Sequence, residues 1–307
     1  MKILISGGAG YIGSVLVEHL IRERHFIDVT VLDNFRHRTP SLAHLVHDPR
    51  LEIVNADARD PYVLKPLVES HDVLIPLAAI VGAPACAKDV ELAWSTNGRA
   101  VQSLVNYASP DQKVIVPTTN SFYGQSDAIC TEETVPKPLS EYAKSKLWGE
   151  HCVIEHKRGC SLRLATAFGA SPRPRLDLLL NDWVYRALRD RSLTVFEPNF
   201  RRNWVHVRDI ASAFLHAIEK DLVGVYNVGH DDENLTKIQL AEHIKAQIPD
   251  FSYVCVDYMS DVDKRDYEVS SQKFVDTGWT PKYSVRDGII ELKKLYHGLS
   301  NERYSNV

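Results

Sequence analysis

Three side chains in the middle of the chain could together remove a proton from an alcohol. Tyr142 and Lys146 are four residues apart, so on a helix they share one face, one turn from each other. A free phenol has a pKa near ~10, but a nearby ammonium group favours the phenolate and lowers that pKa. Thr119 ends a predicted strand, where its hydroxyl could hold the same substrate oxygen. We therefore expect Tyr142 to be a general base supported by Lys146 and Thr119.

The N-terminal end of the chain offers a site for an electron acceptor. The strand Lys2–Ser6 leads into Gly7, Gly10 and Gly13, and a predicted helix follows at once. Glycines at this spacing let the backbone approach a pyrophosphate, which the helix N-terminus attracts. Asp33 ends the next predicted strand, where its carboxylate can bind both ribose hydroxyls and would repel a 2′-phosphate. The sequence therefore predicts NAD rather than NADP as the cofactor, and no metal. The positive nicotinamide of NAD⁺, together with Lys146, is expected to favour the phenolate of Tyr142 and lower its pKa.

Four side chains at or near the next strand ends could also meet a dinucleotide. Arg36 lies close enough to Asp33 to soften the preference for NAD. Asp57 ends the third predicted strand, where it could accept a hydrogen bond from the adenine amino group or merely cap a helix. Ala78 and Ala79 end the fourth, and their small size lets a cofactor lie close.

Apolar runs alternate with amphipathic stretches through the first half of the chain. Runs rich in Val, Ile and Leu predict buried strands at residues 2–6, 28–33, 51–57, 72–79, 113–118 and 161–167. The stretches between them predict helices at residues 11–24, 41–47, 61–70, 89–108 and 141–158. This alternation indicates an α/β fold with a doubly wound parallel sheet of the Rossmann type.

The alternation of apolar runs and amphipathic stretches changes after residue 167, which indicates a second, smaller lobe interleaved with the first. A Pro/Arg loop at residues 171–175 precedes a predicted helix at 176–190 and a strand at 193–196. Capping signals at Thr236 and Ser284 open two further helices. We expect residues 1–167 to form the dinucleotide-binding domain, with 207–229 returning to it, and 168–307 to form the smaller substrate-binding lobe.

Composition excludes several classes of protein. The formal net charge of −4 shows no basic excess, which disfavours nucleic acid as a partner. The five cysteines contain no Cys-x-x-Cys pair, so neither a disulfide framework nor a thiolate metal site is indicated. No apolar run approaches the ~18 residues that a membrane span needs. We expect a cytoplasmic protein.

The chain resembles the extended short-chain dehydrogenases/reductases, the group that contains UDP-galactose 4-epimerase and nucleotide-sugar 4,6-dehydratases. The resemblance runs essentially end to end, and its motifs are residues 7–13, 33–34, 57–58, 77–79, Asn97, 118–124, 142–146 and 202–209. It implies that NAD is the cofactor and that a nucleotide-diphosphate sugar is the substrate. The same resemblance assigns the base to Tyr142 and the nicotinamide ribose to Lys146.

The resemblance also completes the expected binding residues. The cofactor set is Gly7, Gly10, Tyr11, Ile12, Gly13, Asp33, Asn34, Arg36, Asp57, Ala58, Leu77, Ala78, Ala79, Asn97, Tyr142 and Lys146. The substrate set is Asn120, Ser121, Thr166, Arg175, Asn181, Arg202 and Arg265. Arg202 falls where the family holds the substrate pyrophosphate, and Arg265 falls near a second phosphate-binding arginine. Arg265 could instead pair with one of its acidic neighbours, Asp263 and Asp266.

Departures from the family pattern narrow the reaction. The 4,6-dehydratases follow the active-site Thr with an Asp-Glu pair, whereas this chain has Asn120 and Ser121, which cannot do that proton work. Dehydration is therefore disfavoured, which leaves oxidation at the sugar C4 by a 4-dehydrogenase or a 4-epimerase. A family Asn that helps 4-epimerases to bind the sugar is replaced near Thr166, which disfavours the epimerase. A non-enzymatic dinucleotide sensor is disfavoured because both Tyr142 and Lys146 are present.

Four segments are unusual within the group, namely residues 77–86, 163–173, 175–182 and 263–267. They resemble the GDP-D-glycero-D-manno-heptose 4-dehydrogenases of bacteria, which start the modification of capsular heptoses. In that resemblance Arg175 and Asn181 contact the nucleotide diphosphate. The apolar faces of residues 89–108 and 141–158 could form a four-helix homodimer interface, as in family members, or be buried within one chain.

Overall fold

The computed structural model describes residues 1–256 and 265–299. Asp263 and Lys264, which belong to one of the segments singled out above, lie outside the described residues. The strands are β1 (Lys2–Ser6), β2 (Asp28–Asp33), β3 (Leu51–Asn55), β4 (Val73–Pro76), β5 (Lys113–Thr119), β6 (Gly159–Leu164), β7 (Thr166–Phe168), β8 (Ser192–Phe196), β9 (Arg201–His206), β10 (Gly224–Val228), β11 (His230–Thr236) and β12 (Ser252–Val256).

The helices lie between these strands and after them. They are α1 (Tyr11–Glu23), α2 (Pro61–Glu69), α3 (Ala83–Lys88), α4 (Val90–Trp94), α5 (Ala100–Tyr107), α6 (Glu141–Ile154), α7 (Leu179–Arg189), α8 (Val207–Glu219), α9 (Lys237–Gln247), α10 (Gln272–Val275) and α11 (Val285–Tyr296). A π-helical turn, Ser95–Arg99, joins α4 to α5, and a 3₁₀ turn, Asn120–Tyr123, follows β5. None of the helices in the described ranges is long and apolar enough to cross a membrane.

Within the described residues, seven strands form one parallel sheet in the order β10-β6-β5-β4-β1-β2-β3. The fold class predicted from the sequence is confirmed. The chain runs outward from β1 through β2 to β3, then returns to the other side of β1 to begin β4. The direction of winding therefore reverses between β1 and β4, and ligands bind at such a switch point, outside the carboxyl ends of the strands.

Helices cover both faces of this sheet. On one face α1 packs against α8, and apolar residues of β1 and β2 lie buried beneath them. On the other face α2, α5 and α6 cover a second apolar cluster that includes Leu4, Val114 and Val116. Strands β1, β2, β4, β5 and β6 are buried on both faces, which explains why their sequences are almost continuously apolar, whereas the edge strand β3 is largely exposed.

A third apolar cluster centres on α7, α9 and α11, with Trp183 and Trp204 among its largest side chains. Beside it lie a three-stranded sheet, β11-β9-β7, and the parallel pair β12-β8. The capping boxes predicted at Thr236 and Ser284 are formed and open α9 and α11.

Several predicted elements differ from the observed ones. Residues 41–47 form turns rather than a helix, and the helix predicted at 89–108 is divided by the π-helical turn. Two predicted strands are shorter than expected, since β3 ends at Asn55 and β4 at Pro76. Strands β7, β9, β11 and β12 were not predicted. The sequence of β11, His-Asp-Asp-Glu-Asn-Leu-Thr, is polar throughout, so its pairing with β9 depends on tertiary contacts.

Candidate active site

A cavity of about 570 Å³ lies at the carboxyl ends of the central strands, between the sheet and the loop before α7. Its lining includes Thr119 and the expected cofactor residues Gly7, Gly10, Tyr11, Ile12, Gly13, Asp33, Asn34, Arg36, Asp57, Ala58, Leu77, Ala78, Ala79, Tyr142 and Lys146. Of the expected substrate residues it includes Ser121, Thr166, Arg175, Arg202 and Arg265. One continuous space thus joins the glycine loop to the candidate base.

The glycine loop packs too tightly for side chains. A Cβ on Gly7, which has a φ of 78°, would lie 2.5 Å from the Ala78 nitrogen, and one on Gly13 would lie 2.4 Å from the Gly7 oxygen. Helix α1 begins after Gly10 with no side-chain cap and no acidic residue in its first turn. The positive end of its dipole therefore faces the cavity uncompensated, which fits the diphosphate of a dinucleotide.

Asp33 lies at the end of β2 beside this loop. One carboxylate oxygen accepts a hydrogen bond from the Ala9 nitrogen at 3.0 Å, and the other accepts one from the Phe35 nitrogen at 2.8 Å. Burial raises the pKa of Asp33, while these two N–H groups and the charge of Arg173 lower it. Each oxygen keeps a further acceptor site, so the carboxylate can still hold a pair of ribose hydroxyls.

Asp57 is engaged by its neighbour Arg59. The Arg59 Nε and a terminal nitrogen donate to the two Asp57 oxygens at 2.9 and 2.7 Å, and this pairing lowers the pKa of Asp57. Helix α2 is capped by Asp60, which accepts a hydrogen bond from the Tyr62 nitrogen. Asp57 is therefore not the cap of α2, and its carboxylate faces the cavity as half of an ion pair.

The side chains of Thr119, Tyr142 and Lys146 meet at the other end of the cavity. Thr119 is the last residue of β5, and its side chain is hydrogen-bonded to the phenol of Tyr142. Ser140 caps α6 by accepting from the Ala143 nitrogen, which places Tyr142 in the first turn and Lys146 one turn further on. Two elements, β5 and α6, thus position the group that the spacing predicted.

Burial has the largest influence on the electrostatics of this group. Burial raises the pKa of Tyr142 to about 12, although Arg175, Arg265 and the bond to Thr119 act in the opposite direction. Burial also lowers the pKa of Lys146 to about 8, against the opposing influence of Cys86 and Glu150. In the protein alone, loss of water outweighs the nearby cations, so the lowered pKa expected for Tyr142 with NAD⁺ bound stays a prediction.

Asn97 serves the site from behind rather than lining the cavity. It lies in the π-helical turn, accepts from the Ile80 nitrogen at 2.8 Å and donates to the Ile80 oxygen at 2.9 Å. Its amide also donates to Ser145 at 3.1 Å. The cavity-lining segment after β4 is thereby fixed to α6. The described lining does not include Asn97, and its expected contact with the cofactor stays a prediction.

The expected substrate residues fall into two groups. Arg265 donates to Ser121 at 2.7 Å at the cavity wall, and Arg202 lies buried in the same wall. Asn120 and Asn181 are absent from the described lining. Neither amide atom of Asn120 has a hydrogen-bond partner among the described residues.

Asn181 is occupied in holding the loop before α7. It accepts from the Gly169 nitrogen at 3.2 Å and donates to the Gly169 and Arg175 oxygens at 3.3 and 3.0 Å. Both ends of its amide are bound to backbone, and its expected contact with the nucleotide diphosphate stays a prediction.

The structure adds residues that the sequence did not assign to the site. Arg173, Asp177, His37 and Tyr267 all line the cavity. Arg173 and Asp177 come from the Pro/Arg loop, which was visible in the sequence and could have suggested them. Tyr267 lies beside Tyr123 at 6.3 Å between ring centroids, a contact across more than 100 residues that no local pattern reports.

The described lining carries more positive than negative side chains. Seven Arg or Lys residues face it against four Asp residues, which favours an anionic ligand such as a diphosphate. Within residues 1–256 and 265–299, no group of three His, Cys, Asp or Glu side chains is placed to hold a metal ion.

Comparison with known proteins agrees with this geometry. The model of the NAD dependent epimerase/dehydratase family matches residues 3–229. UDP-glucuronic acid decarboxylase 6 from Arabidopsis thaliana is 27% identical over 309 residues, which cover 94% of this chain and 87% of that protein.

Solved structures show the same fold. UDP-glucuronic acid 4-epimerase from Bacillus cereus, in complex with UDP-glucuronic acid and NAD, matches with a TM-score of 0.83 and 26% identity, covering 96% of this chain and 100% of that chain. dTDP-glucose 4,6-dehydratase from Bacillus anthracis, in complex with NAD, matches with a TM-score of 0.82 and 23% identity, covering 99% and 98%. These relatives catalyse different reactions, so likeness alone leaves the reaction type open.

Proposed function

The chain belongs to the NAD dependent epimerase/dehydratase family, and from that premise we propose that it oxidises the C4 hydroxyl of a nucleotide-linked sugar. The observation that carries this proposal is the meeting of Tyr142, Thr119 and Lys146 in the cavity that also contains Asp33. NAD, the cofactor of the family, supplies a hydride acceptor and a positively charged ring when bound.

The residues of the chain then have distinct roles. Tyr142 accepts the proton of the sugar hydroxyl, and Thr119 holds the oxygen that loses it. Lys146 adds a positive charge that favours the phenolate. Burial places the pKa of Tyr142 at about 12 in the protein alone. Neighbouring cations, including Arg175 and Arg265, therefore have to lower this pKa for Tyr142 to act as a base. The carbinol hydrogen leaves as hydride and the hydroxyl proton goes to Tyr142, so the products are a ketone and reduced cofactor.

The residues after Thr119 support a reaction that does not remove water. Asn120 and Ser121 occupy the 3₁₀ turn, and neither side chain is an acid or a base near neutral pH. Elimination of water across C5–C6 needs both an acid and a base. Their presence favours a dehydrogenase or an epimerase over a dehydratase.

The proposed substrate is GDP-D-glycero-D-manno-heptose. Its support is the resemblance of residues 77–86, 163–173 and 175–182 to the enzymes that oxidise this sugar, and residues 175–182 include Arg175 of the cavity wall. The positive lining provides for the diphosphate that every nucleotide sugar carries. The alternative function is 4-epimerisation, which the 26% identity to a UDP-glucuronic acid 4-epimerase over 96% of the chain favours.

A product analysis tests these functions. The purified protein is incubated with NAD⁺ and a panel of nucleotide-linked hexoses, heptoses and uronic acids. The molecular masses of the products are then measured by mass spectrometry. Loss of two hydrogens from a GDP-heptose supports the dehydrogenase, and unchanged mass with inverted C4 supports the epimerase. Loss of water or of carbon dioxide would overturn both, and loss of water would show that Asn120 and Ser121 do not prevent elimination.

We also propose that the enzyme works in the cytoplasm as a homodimer. All five cysteines are free, which is typical of a reducing compartment. The solvent-facing side of α6 carries two exposed apolar residues, Trp148 and Ile154, which a second copy could cover. We further propose that residues 1–167 with 207–229 act as the cofactor domain and 168–307 as the substrate lobe.

A further inference from the structure

The loop at residues 169–177 joins β7 to α7 and lies directly against the first turns of α1. The Ser171 hydroxyl donates to the backbone carbonyl oxygen of Tyr11 at 2.7 Å and lies 3.1 Å from the Ser14 hydroxyl. The Tyr11 hydroxyl in turn donates to the Gly169 oxygen at 2.8 Å. The helix that follows the glycine loop is therefore fastened to this loop at two of its residues.

The same loop is held from the other side by the substrate lobe. Asn181 of α7 binds the backbone of Gly169 and Arg175, and Glu291 of α11 accepts from the Ala170 nitrogen at 3.4 Å. Glu291 also accepts a hydrogen bond from His206 at 2.7 Å. The loop thus has one fixed position between the two parts of the molecule.

Arg173 is the residue that this arrangement turns toward the cofactor end of the cavity. Its backbone nitrogen donates to the Ser171 hydroxyl at 3.2 Å, and its side chain is 2% exposed. It lines the cavity together with Gly7, Gly10 and Asp33. Burial and the charge of Arg175 lower the pKa of Arg173 to about 10, while Asp177 and then Asp33 act against this shift, so Arg173 lies within electrostatic reach of both carboxylates.

The two arginines of the loop differ in their surroundings. Arg175 donates to both oxygens of Asp177, at 3.1 and 2.5 Å, so its charge is largely offset. Among the cations, Arg175 also has the largest influence on the phenol of Tyr142. Arg175 therefore lies toward the candidate base, and Arg173 lies toward Asp33 and the glycine loop.

We propose that Arg173, although it belongs to the substrate lobe by sequence, binds the diphosphate of the NAD cofactor. A guanidinium fork matches two phosphate oxygens, whereas the N-terminus of α1 would offer a diphosphate only backbone N–H groups and a partial charge. The loop 169–177 then contacts both ligands, with Arg173 on the cofactor and Arg175 toward the sugar nucleotide. This inference rests on the NAD dependence of the family and is independent of the reaction at C4.

A diphosphate could also come from the nucleotide sugar, so the test separates the two sources. Calorimetry measures the affinity of the full-length protein, freed of dinucleotide by dialysis, for ADP, NAD, adenosine and GDP. Arg173→Met is expected to weaken ADP and NAD about 10–100-fold, the effect of losing one charge-assisted contact of ~1.5–3 kcal/mol. Adenosine affinity stays unchanged, because Asp33 still binds the ribose.

Two variants complete the experiment. Arg22→Met removes the same charge from an exposed position on α1 and is expected to leave all four affinities unchanged. Arg173→Lys keeps the charge without the fork and is expected to give an intermediate loss, which preserves the test if Arg173→Met does not fold. Unchanged ADP affinity in Arg173→Met would overturn the proposal. So would a loss confined to GDP, or an equal loss for ADP and adenosine, which would show a structural role.

Discussion

At the scale of single residues, burial is the largest influence on the candidate base and its partner. It disfavours the charged form of both, so the pKa of Tyr142 rises to about 12 while that of Lys146 falls to about 8. The site therefore suppresses the phenolate until a cation is added beside it. Binding of oxidised NAD adds that cation, which couples formation of the base to the presence of the hydride acceptor.

Replacing Tyr142 by Phe removes the base and keeps the ring. The rate of NAD reduction by the preferred nucleotide sugar is expected to fall about 10²–10⁴-fold, the usual contribution of a positioned general base, while NAD affinity is retained. Steady-state kinetics and calorimetry measure the two quantities. Tyr62→Phe, at a position 90% exposed, is the matched control. Unchanged turnover in Tyr142→Phe would remove this residue from the mechanism.

Lys146→Met should stabilise the ligand-free fold while lowering turnover. Lys146 is 5% exposed, and its pKa falls from the ordinary value of 10.5 to about 8 in the folded protein. Between these two pH values the unfolded chain binds more protons than the folded protein does. The free energy of unfolding therefore rises with pH across this range. Below about pH 8 the charged lysine opposes folding, and its removal is expected to add about 1–3 kcal/mol. The gain should diminish between pH 8 and 10.5. Urea unfolding at a series of pH values measures it, and a variant less stable at pH 7 would contradict this account.

At the scale of elements, a buried ion pair joins α6 to the strands beneath the site. Arg163 of β6 donates to both carboxylate oxygens of Glu150, which also accepts from Thr118 and Ser161 at 3.0 and 2.6 Å. Arg163 also lies over the rings of Phe122 and Tyr123 at 5.7 and 5.6 Å. The segment after Thr119 and the helix that carries Tyr142 are thereby held in one arrangement.

Breaking this pair from one side should be costly. Glu150→Ala leaves the guanidinium of Arg163 buried without its partner and is expected to destabilise the fold by about 3–5 kcal/mol. Arg163→Met combined with Glu150→Met should cost less than the two single changes together, since no unpaired charge remains. Urea unfolding compares them with Lys157→Ala, from an exposed pair. Single changes as mild as that control would show that the pair does not hold the elements together.

The π-helical turn between α4 and α5 also positions a side chain near the site. A regular helix was expected across residues 89–108, but Ser95–Arg99 inserts a wider turn that directs Asn97 toward Ile80 and Ser145. Such bulges are common at functional sites, where they re-aim a side chain that a regular helix would place elsewhere. Ser95–Arg99 contains no apolar side chain, so the apolar pattern of the residues on either side did not reveal the wider turn.

At the scale of the whole molecule, the exposed side of α6 bears on the proposed dimer. Trp148 is 44% exposed and lies close to Gly98, where an added Cβ would be 3.1 Å from the Trp148 Cδ1, so it belongs to the surface that two α5–α6 pairs would share. Trp148→Glu is expected to convert a dimer into a monomer, because a two-fold interface buries each substituted residue twice.

Light scattering over a range of protein concentrations measures this change. Val254→Glu on β12, at a position 65% exposed, introduces the same charge away from α5 and α6 and should leave the mass unchanged. A wild-type protein that remains monomeric at all concentrations would contradict the homodimer.

The sequence by itself determined the class of fold and the location of the chemistry. Both depend on local signals: the unbroken apolar runs of a parallel sheet, three glycines between strand and helix, an acid at the end of β2, and a Tyr and a Lys one turn apart. Each of these is recorded within a few neighbouring residues, because the backbone geometry that they specify is local.

The tertiary structure decided the rest. It bound Asn97 and Asn181 to backbone segments of the site, brought Arg173 to the wall of the cavity, and raised the pKa of Tyr142 in the protein alone through burial. These outcomes depend on how much water is excluded and on charges contributed by segments far apart in the chain. Burial and long-range contacts exist only once the chain has folded, so no spacing of residues could have given them.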